Sequence, residues 1–265
     1  MAASPTTSSQ KEHFEKILTR AKKRARTEVN PDRDGIQRLF ARSGEFEDWY
    51  VAGILRFTTN FLDYTLVKSI LGGDFITAEE IMVACPDIVY SREQITQLAV
   101  ALPSKETIIL LKTSGYALVP QPPRALSLLS IRDLGPHYFQ DSTEGWYERK
   151  EFASFGKKNR TGAGWLAIKK TPVTDSTFKT FDEQKKLLTE VEYVPNAAEV
   201  CWFMTRFYSV RGARLFENVY INTSSIDSGC NNVSVGSFGS RGIDVRSWWL
   251  GHVLNALGLA SARKL

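Results

Sequence analysis

At 265 residues, 43% hydrophobic and 24% charged, the chain has the composition of a soluble globular protein with one large domain or two small ones. Its apolar runs are broken within about a dozen residues by charge, Gly or Pro, too short for a membrane span, and MAASPTTSSQ lacks the basic-then-apolar order of a secretory signal. Three distant cysteines (Cys85, Cys201, Cys230) argue against a disulfide framework and for a reducing, cytoplasmic setting; three histidines without ligand spacing offer no metal site, and no cofactor is expected.

The net charge of +5 is local. Residues 11–26, KEHFEKILTRAKKRAR, hold seven of the 34 basic and two of the 29 acidic residues, which leaves 27 of each elsewhere. Such an arm attracts phosphate backbones or another acidic partner without sequence preference. Lys22, Lys23, Arg24 and Arg26 are its candidate nucleic-acid contacts.

In chain order, residues 1–10 read as a disordered tail, 11–45 as a basic helical arm and 46–134 as a mainly helical module. Thr77-Ala-Glu-Glu80 and Ser91-Arg-Glu-Gln94 are capping boxes, in which side chains bond the amide hydrogens that a helix's first turn leaves unpaired. Ser104 caps a third helix that ends at Gly115, and YALV (116–119) is a strand. This order also fits a winged helix-turn-helix, but Arg92, Lys105 and Lys112 are few basic residues for a DNA-reading helix. Residues 135–163 are polar and turn-rich, a loop or linker before a C-terminal domain over 164–265. There, GWLAIKKTPV reads as a strand. Thr180–Glu183 and Asn196–Glu199 open two further helices, the second running to Gly212 with Trp202 off its apolar stripe.

Residues 214–249 alternate in short β-like runs broken by Asp227-Ser-Gly229 and Gly239-Ser-Arg-Gly242, which predicts an antiparallel three-stranded meander packed on the preceding helix. The fold class expected is therefore α+β, with a helical N-terminal module and a C-terminal helix on that meander. The runs RLFENVYINTSSIDS and VSVGSFGSRGIDVRSWW, the final LGLASARKL, and upstream GWLAIKKTPV and FDEQKKLL resemble a family of uncharacterised bacterial, often environmental, proteins. The resemblance implies a bacterial origin and a two-part architecture, and it assigns no chemistry to any residue.

Three readings of chemistry remain. Glu217, Asp227 and Asp244, with Lys169 or Lys170, are the residue types a metal-dependent phosphodiesterase would gather, although their spacing matches no ligand signature. Ser224, Ser225 and Ser228 have only His252 nearby in sequence and no nucleophile elbow. Glycines 236, 239 and 242 with Arg241 and Arg246 offer an anion nest. Trp248-Trp249 is the oddest pair: neighbours on a strand face opposite ways, so at most one joins a given core face, and the other packs under the C-terminal segment or is exposed as an interaction anchor. The reading preferred is a binding protein, with nucleic acid through the arm or a protein partner, and the phosphodiesterase is its alternative.

Overall fold

The computed structural model describes residues 64–141, 145–148, 153–158 and 160–265, with scattered positions between 12 and 44. The chain divides into two units, 1–54 and 55–265. In the first, the described positions between Glu12 and Lys23 are helical, as the arm predicts, and Lys16 pairs with Glu12 at 2.6 Å. The tail, most of the arm's basic cluster and residues 46–63 of the expected helical module lie outside the described residues.

The second unit begins with α1 (Tyr64–Leu71), α2 (Ala78–Ala84), α3 (Arg92–Val100) and α4 (Lys105–Thr113). Both predicted capping boxes form, Thr77 with Glu80 and Ser91 with Gln94, and Ser104 accepts from the Thr107 amide. Such a cap is worth about 1 kcal/mol. β1 (Tyr116–Pro120) leads through α5 (Leu128–Leu134) and α6 (Ala153–Lys158) to β2 (Trp165–Lys169). β1 and β2 pair antiparallel over their full length. Strand YALV is thus the edge strand of a sheet, yet buried at every position, and not an exposed wing. The same pairing corrects the expected separation at 135–163: the strands on either side of that segment share a sheet, and its described residues pack on the common core through Phe139, Tyr147 and Phe155.

α7 (Phe181–Lys185), β3 (Glu192–Tyr193) and α8 (Ala197–Arg211) follow. α8 is capped by Asn196, closes at Gly212 with φ 68°, and is buried at every position from Ala197 to Phe207. It packs against both sheets, which is why Trp202 lies off a single stripe: there is no solvent side for the stripe to border. The indole of Trp202 donates to the Pro120 carbonyl at 2.9 Å, and the Ala197 amide donates to Ser225 Oγ at 2.9 Å, which ties the helix to one sheet at each of these points. Each large side chain so buried contributes about 1.5–3 kcal/mol.

β4 (Tyr220–Ile226), β5 (Asn232–Gly239) and β6 (Gly242–Trp248) form the predicted meander. The meander is incomplete as predicted, because β7 (Leu257–Leu259) adds a fourth strand parallel to β4 and gives the order β6-β5-β4-β7. β8 (Ala262–Arg263) then crosses to the other sheet, ordered β1-β2-β8-β3. The fold class is α+β, with two four-stranded sheets around α8. Gly236 and Gly242 are explained by close packing. A Cβ on Gly236 would lie 2.1 Å from the Val219 carbonyl oxygen, and one on Gly242 would lie 2.7 Å from the Phe139 carbonyl carbon. Both also carry positive φ.

At the β3–β8 junction, Tyr116 and Ser261 hydroxyls and the Thr189 amide and hydroxyl all donate to Glu192. Burial works against its charge, but these bonds outweigh burial and hold the carboxyl at about 2, below its ordinary 4.5. A depressed carboxyl stabilises the fold above 4.5 and loses that contribution as pH falls towards about 2. Glu192→Gln should therefore unfold with a shallower pH dependence in that window than the parent chain. Identical acid limbs in denaturation at pH 2–5 would contradict the assignment.

Candidate functional site

The second sheet has two unlike faces. Residues directly opposite each other on neighbouring strands point the same way. The row Val245–Val235–Ile221 faces the core with α8. The rows Asp244–Gly236–Tyr220, Arg246–Ser234–Asn222 and Trp248–Asn232 point the other way and are almost entirely polar or aromatic.

Most of that second face is hydrogen-bonded. Ser234 Oγ donates to Asn222 Oδ1 at 2.6 Å, Asn222 Nδ2 donates to Gln184 Oε1 at 2.8 Å, and Gln184 Nε2 donates to the Ser176 and Leu257 carbonyls. The Tyr220 hydroxyl and Arg246 Nε both donate to Asp244 Oδ2, each at 2.8 Å. Burial and this bond raise the Tyr220 hydroxyl above its usual value.

The Trp248–Asn232 row breaks the pattern. Asn232 is 1% exposed, yet neither its Oδ1 nor its Nδ2 has a partner. Trp248 Nε1 and His252 Nε2 are also buried and unpaired. The three side chains adjoin: Asn232 is opposite Trp248 in register, and the Trp248 ring stacks on His252 at 4.6 Å and 3°. Two residues along β5, Ser234 bonds an Asn222 that is satisfied at both ends of its amide. The same side chain on the same face is thus fully bonded in one row and orphaned in the next. An unmet buried polar group costs about 1–3 kcal/mol, and four such atoms gather in this corner.

The corner is built by a turn. The His252 amide donates to the Trp249 carbonyl at 2.8 Å, which folds the imidazole back over Trp248. Trp249 stays 62% exposed, and its ring lies on Gly251, where a Cβ would approach a ring carbon to 1.9 Å. Arg246, one row from Trp248 on the same face, has a side chain 48% exposed. Ile226, Leu250, Val253 and Phe178 add exposed apolar surface on adjoining segments.

The other sequence candidates do not come together. Glu217 is exposed. Asp227 accepts from the Gly229 and Asn231 amides and from Ser247, the bonding of a tight turn. Ser247 and Asp244 are three residues apart on β6, ~10 Å along the strand and on opposite faces, so Asp227 and Asp244 diverge. Lys170, just past the end of β2, bonds Asp74 at 2.6 Å, and Lys169 is the last residue of that strand in the other sheet. Among the described residues, no three His, Cys, Asp or Glu side chains are placed to hold a metal. Ser225 is taken up by the α8 amide. Arg241 is exposed at the β5–β6 turn, five residues and ~16 Å from Arg246. Only Gly242 lies between them, and it serves close packing against Phe139, so the anion nest does not form around both arginines. Cys201 is buried, which pushes its thiol up, and Cys230 is exposed. In the arm, Lys23 is helical and exposed, whereas Lys22, Arg24 and Arg26 lie outside the described residues.

Sequence reasoning singled out Trp248, Trp249 and Arg246 and missed Asn232, which reads as an ordinary loop residue after Asp-Ser-Gly. No family model, curated protein or solved structure matches the chain. Nor, among the described residues, is any helix long and apolar enough to cross a membrane.

If Asn232 serves a ligand and not the fold, an apolar side chain of similar size should be tolerated. Asn232→Leu is expected to leave the denaturation midpoint unchanged or raised. A loss of about 2 kcal/mol or more would show that the amide is a structural element.

Proposed function

We propose that the chain is a binding protein whose contact surface is the β6 corner formed by Asn232, Arg246, Trp248, Trp249 and His252, and that its ligand is single-stranded nucleic acid. The observation that carries the reading is the combination at this corner of an exposed indole laid against Gly251, a half-exposed arginine and a set of unpaired buried polar atoms. Stacking on an aromatic ring recognises any base, an arginine beside it meets the phosphate, and amide and imidazole groups bond base edges. The basic segment 11–26 adds charge of the right sign for a polyanion. Two features favour this over a duplex reader: the exposed stacking surface, and the small number of basic residues on α3 and α4. The free thiols fit a reducing compartment such as a bacterial cytoplasm.

The test is a mobility shift with a 20-nucleotide single strand over a salt series. Trp249→Ala should weaken binding about tenfold or more, since a base stacked on an aromatic is worth about 1–3 kcal/mol. Deleting residues 1–30 should flatten the salt dependence. No binding by the full chain, or equal binding by the parent, Trp249→Ala and Arg246→Ala proteins, would overturn the reading and leave the exposed indole as an anchor for a protein partner.

A further inference from the structure

Three arginines of the second unit are held in its interior or in its crevices, and two have carboxylate partners. Arg132 pairs with Asp133 at 2.8 Å and with Glu148 at 2.7 Å. Arg211 makes a two-pronged contact with Glu80, both bonds at 3.1 Å. The third, Arg206, is the most deeply placed, at 1% exposure in the buried stretch of α8. Its single hydrogen bond runs from Nε to the neighbouring Thr205 hydroxyl at 3.4 Å, a long and weak one. Among the described residues, no carboxylate pairs with it, and no acceptor takes a bond from either terminal nitrogen.

What surrounds the guanidinium is aromatic. Its central carbon lies 5.0 Å from the Trp202 ring centroid and 5.7 Å from that of Tyr138. Cys85 and Tyr90 are the other ionisable groups that face it. The Tyr90 hydroxyl is already committed to the Gln121 carbonyl at 2.9 Å. Cys85 and Tyr138 are the half-buried members of this shell. Tyr138 sits on a short turn, Pro136–Tyr138, where it packs over Gly135 and against His137 at 3.9 Å.

Burial lowers the pKa of this arginine, but a guanidinium does not give up its proton in a protein, so the charge remains. Cation–π contacts offset part of the cost. They occupy the faces of the planar group and leave its edge, where five N–H donors point, unused apart from the Nε bond. A buried cation is ordinarily balanced by an anion, and a guanidinium edge matches the two oxygens of a carboxylate or a phosphate. We infer that Arg206, flanked by Trp202 and Tyr138, forms a binding site for a small oxyanion-bearing ligand, entered beside Tyr138 and Cys85. The site is independent of the β6 corner and of the function proposed for it.

The probes are inorganic phosphate and acetate, titrated against the full chain with sodium chloride at matched ionic strength, and the readout is the thermal midpoint. One oxyanion or both should raise the midpoint saturably above the chloride series; acetate alone would indicate a carboxylate ligand and phosphate alone a phosphorylated one. Arg206→Met should abolish the increment. Arg206→Lys, which keeps the charge and loses the two-pronged edge, should weaken it at least tenfold and carries the test if the methionine variant does not fold. A midpoint that follows ionic strength alone, or an increment equal in the parent and Arg206→Lys proteins, would overturn the inference.

Discussion

The architecture rests on a helix with no solvent side. α8 packs on β1 and β2 in one sheet and on β4 and β5 in the other, and is buried along eleven consecutive residues. Every polar group on it must therefore find its partner inside the protein. Its first turn uses Asn196 and Ser225; Trp202 reaches the β1 carbonyl end; Thr205 donates back to the Cys201 carbonyl at 2.7 Å. Arg211, at the end where the helix emerges, clamps Glu80 and the carbonyls of Gly73 and Phe75. Arg206 departs from this rule, and that makes its lone charge informative.

The same constraint sorts the second sheet. Covering α8 uses the Val245–Val235–Ile221 face, so the polar side chains of the alternate positions must sit on the outer face. Most of them form a closed network through Gln184 and Asp244. A closed network supports the fold; the unclosed Trp248–Asn232–His252 corner does not, and it adjoins the exposed indole and arginine. Proteins break the rule of satisfied interior groups mainly where function requires it. The proposed contact surface and the inferred oxyanion site are two separate instances of that break.

What the sequence discloses is set by the range of the interactions involved. Caps are local, and Thr77, Ser91, Ser104, Thr180 and Asn196 could each be placed from a few neighbouring residues. The meander followed from period-two alternation and turn chemistry. β7 and β8 did not, because three- and two-residue strands carry no period and exist only through partners about forty or more residues away in β4, β3 and β2. The joining of β1 to β2 was hidden for the same reason. Within the site, Trp249 was visible as half of an unusual pair. Asn232 and Arg206 were not, since an asparagine after a turn and an arginine in a helix are ordinary until their surroundings prove to lack a partner.

Everything proposed for the β6 corner depends on its being a contact surface. The most direct measurement is the indole amide region of a nitrogen–proton correlation spectrum, where six tryptophans give six signals, recorded with and without a short oligonucleotide. The Trp248 and Trp249 signals are expected to move while those of Trp165 and Trp202, bonded to the Leu98 and Pro120 carbonyls inside the core, stay in place. Stationary Trp248 and Trp249 signals under conditions where the oligonucleotide is bound would contradict it.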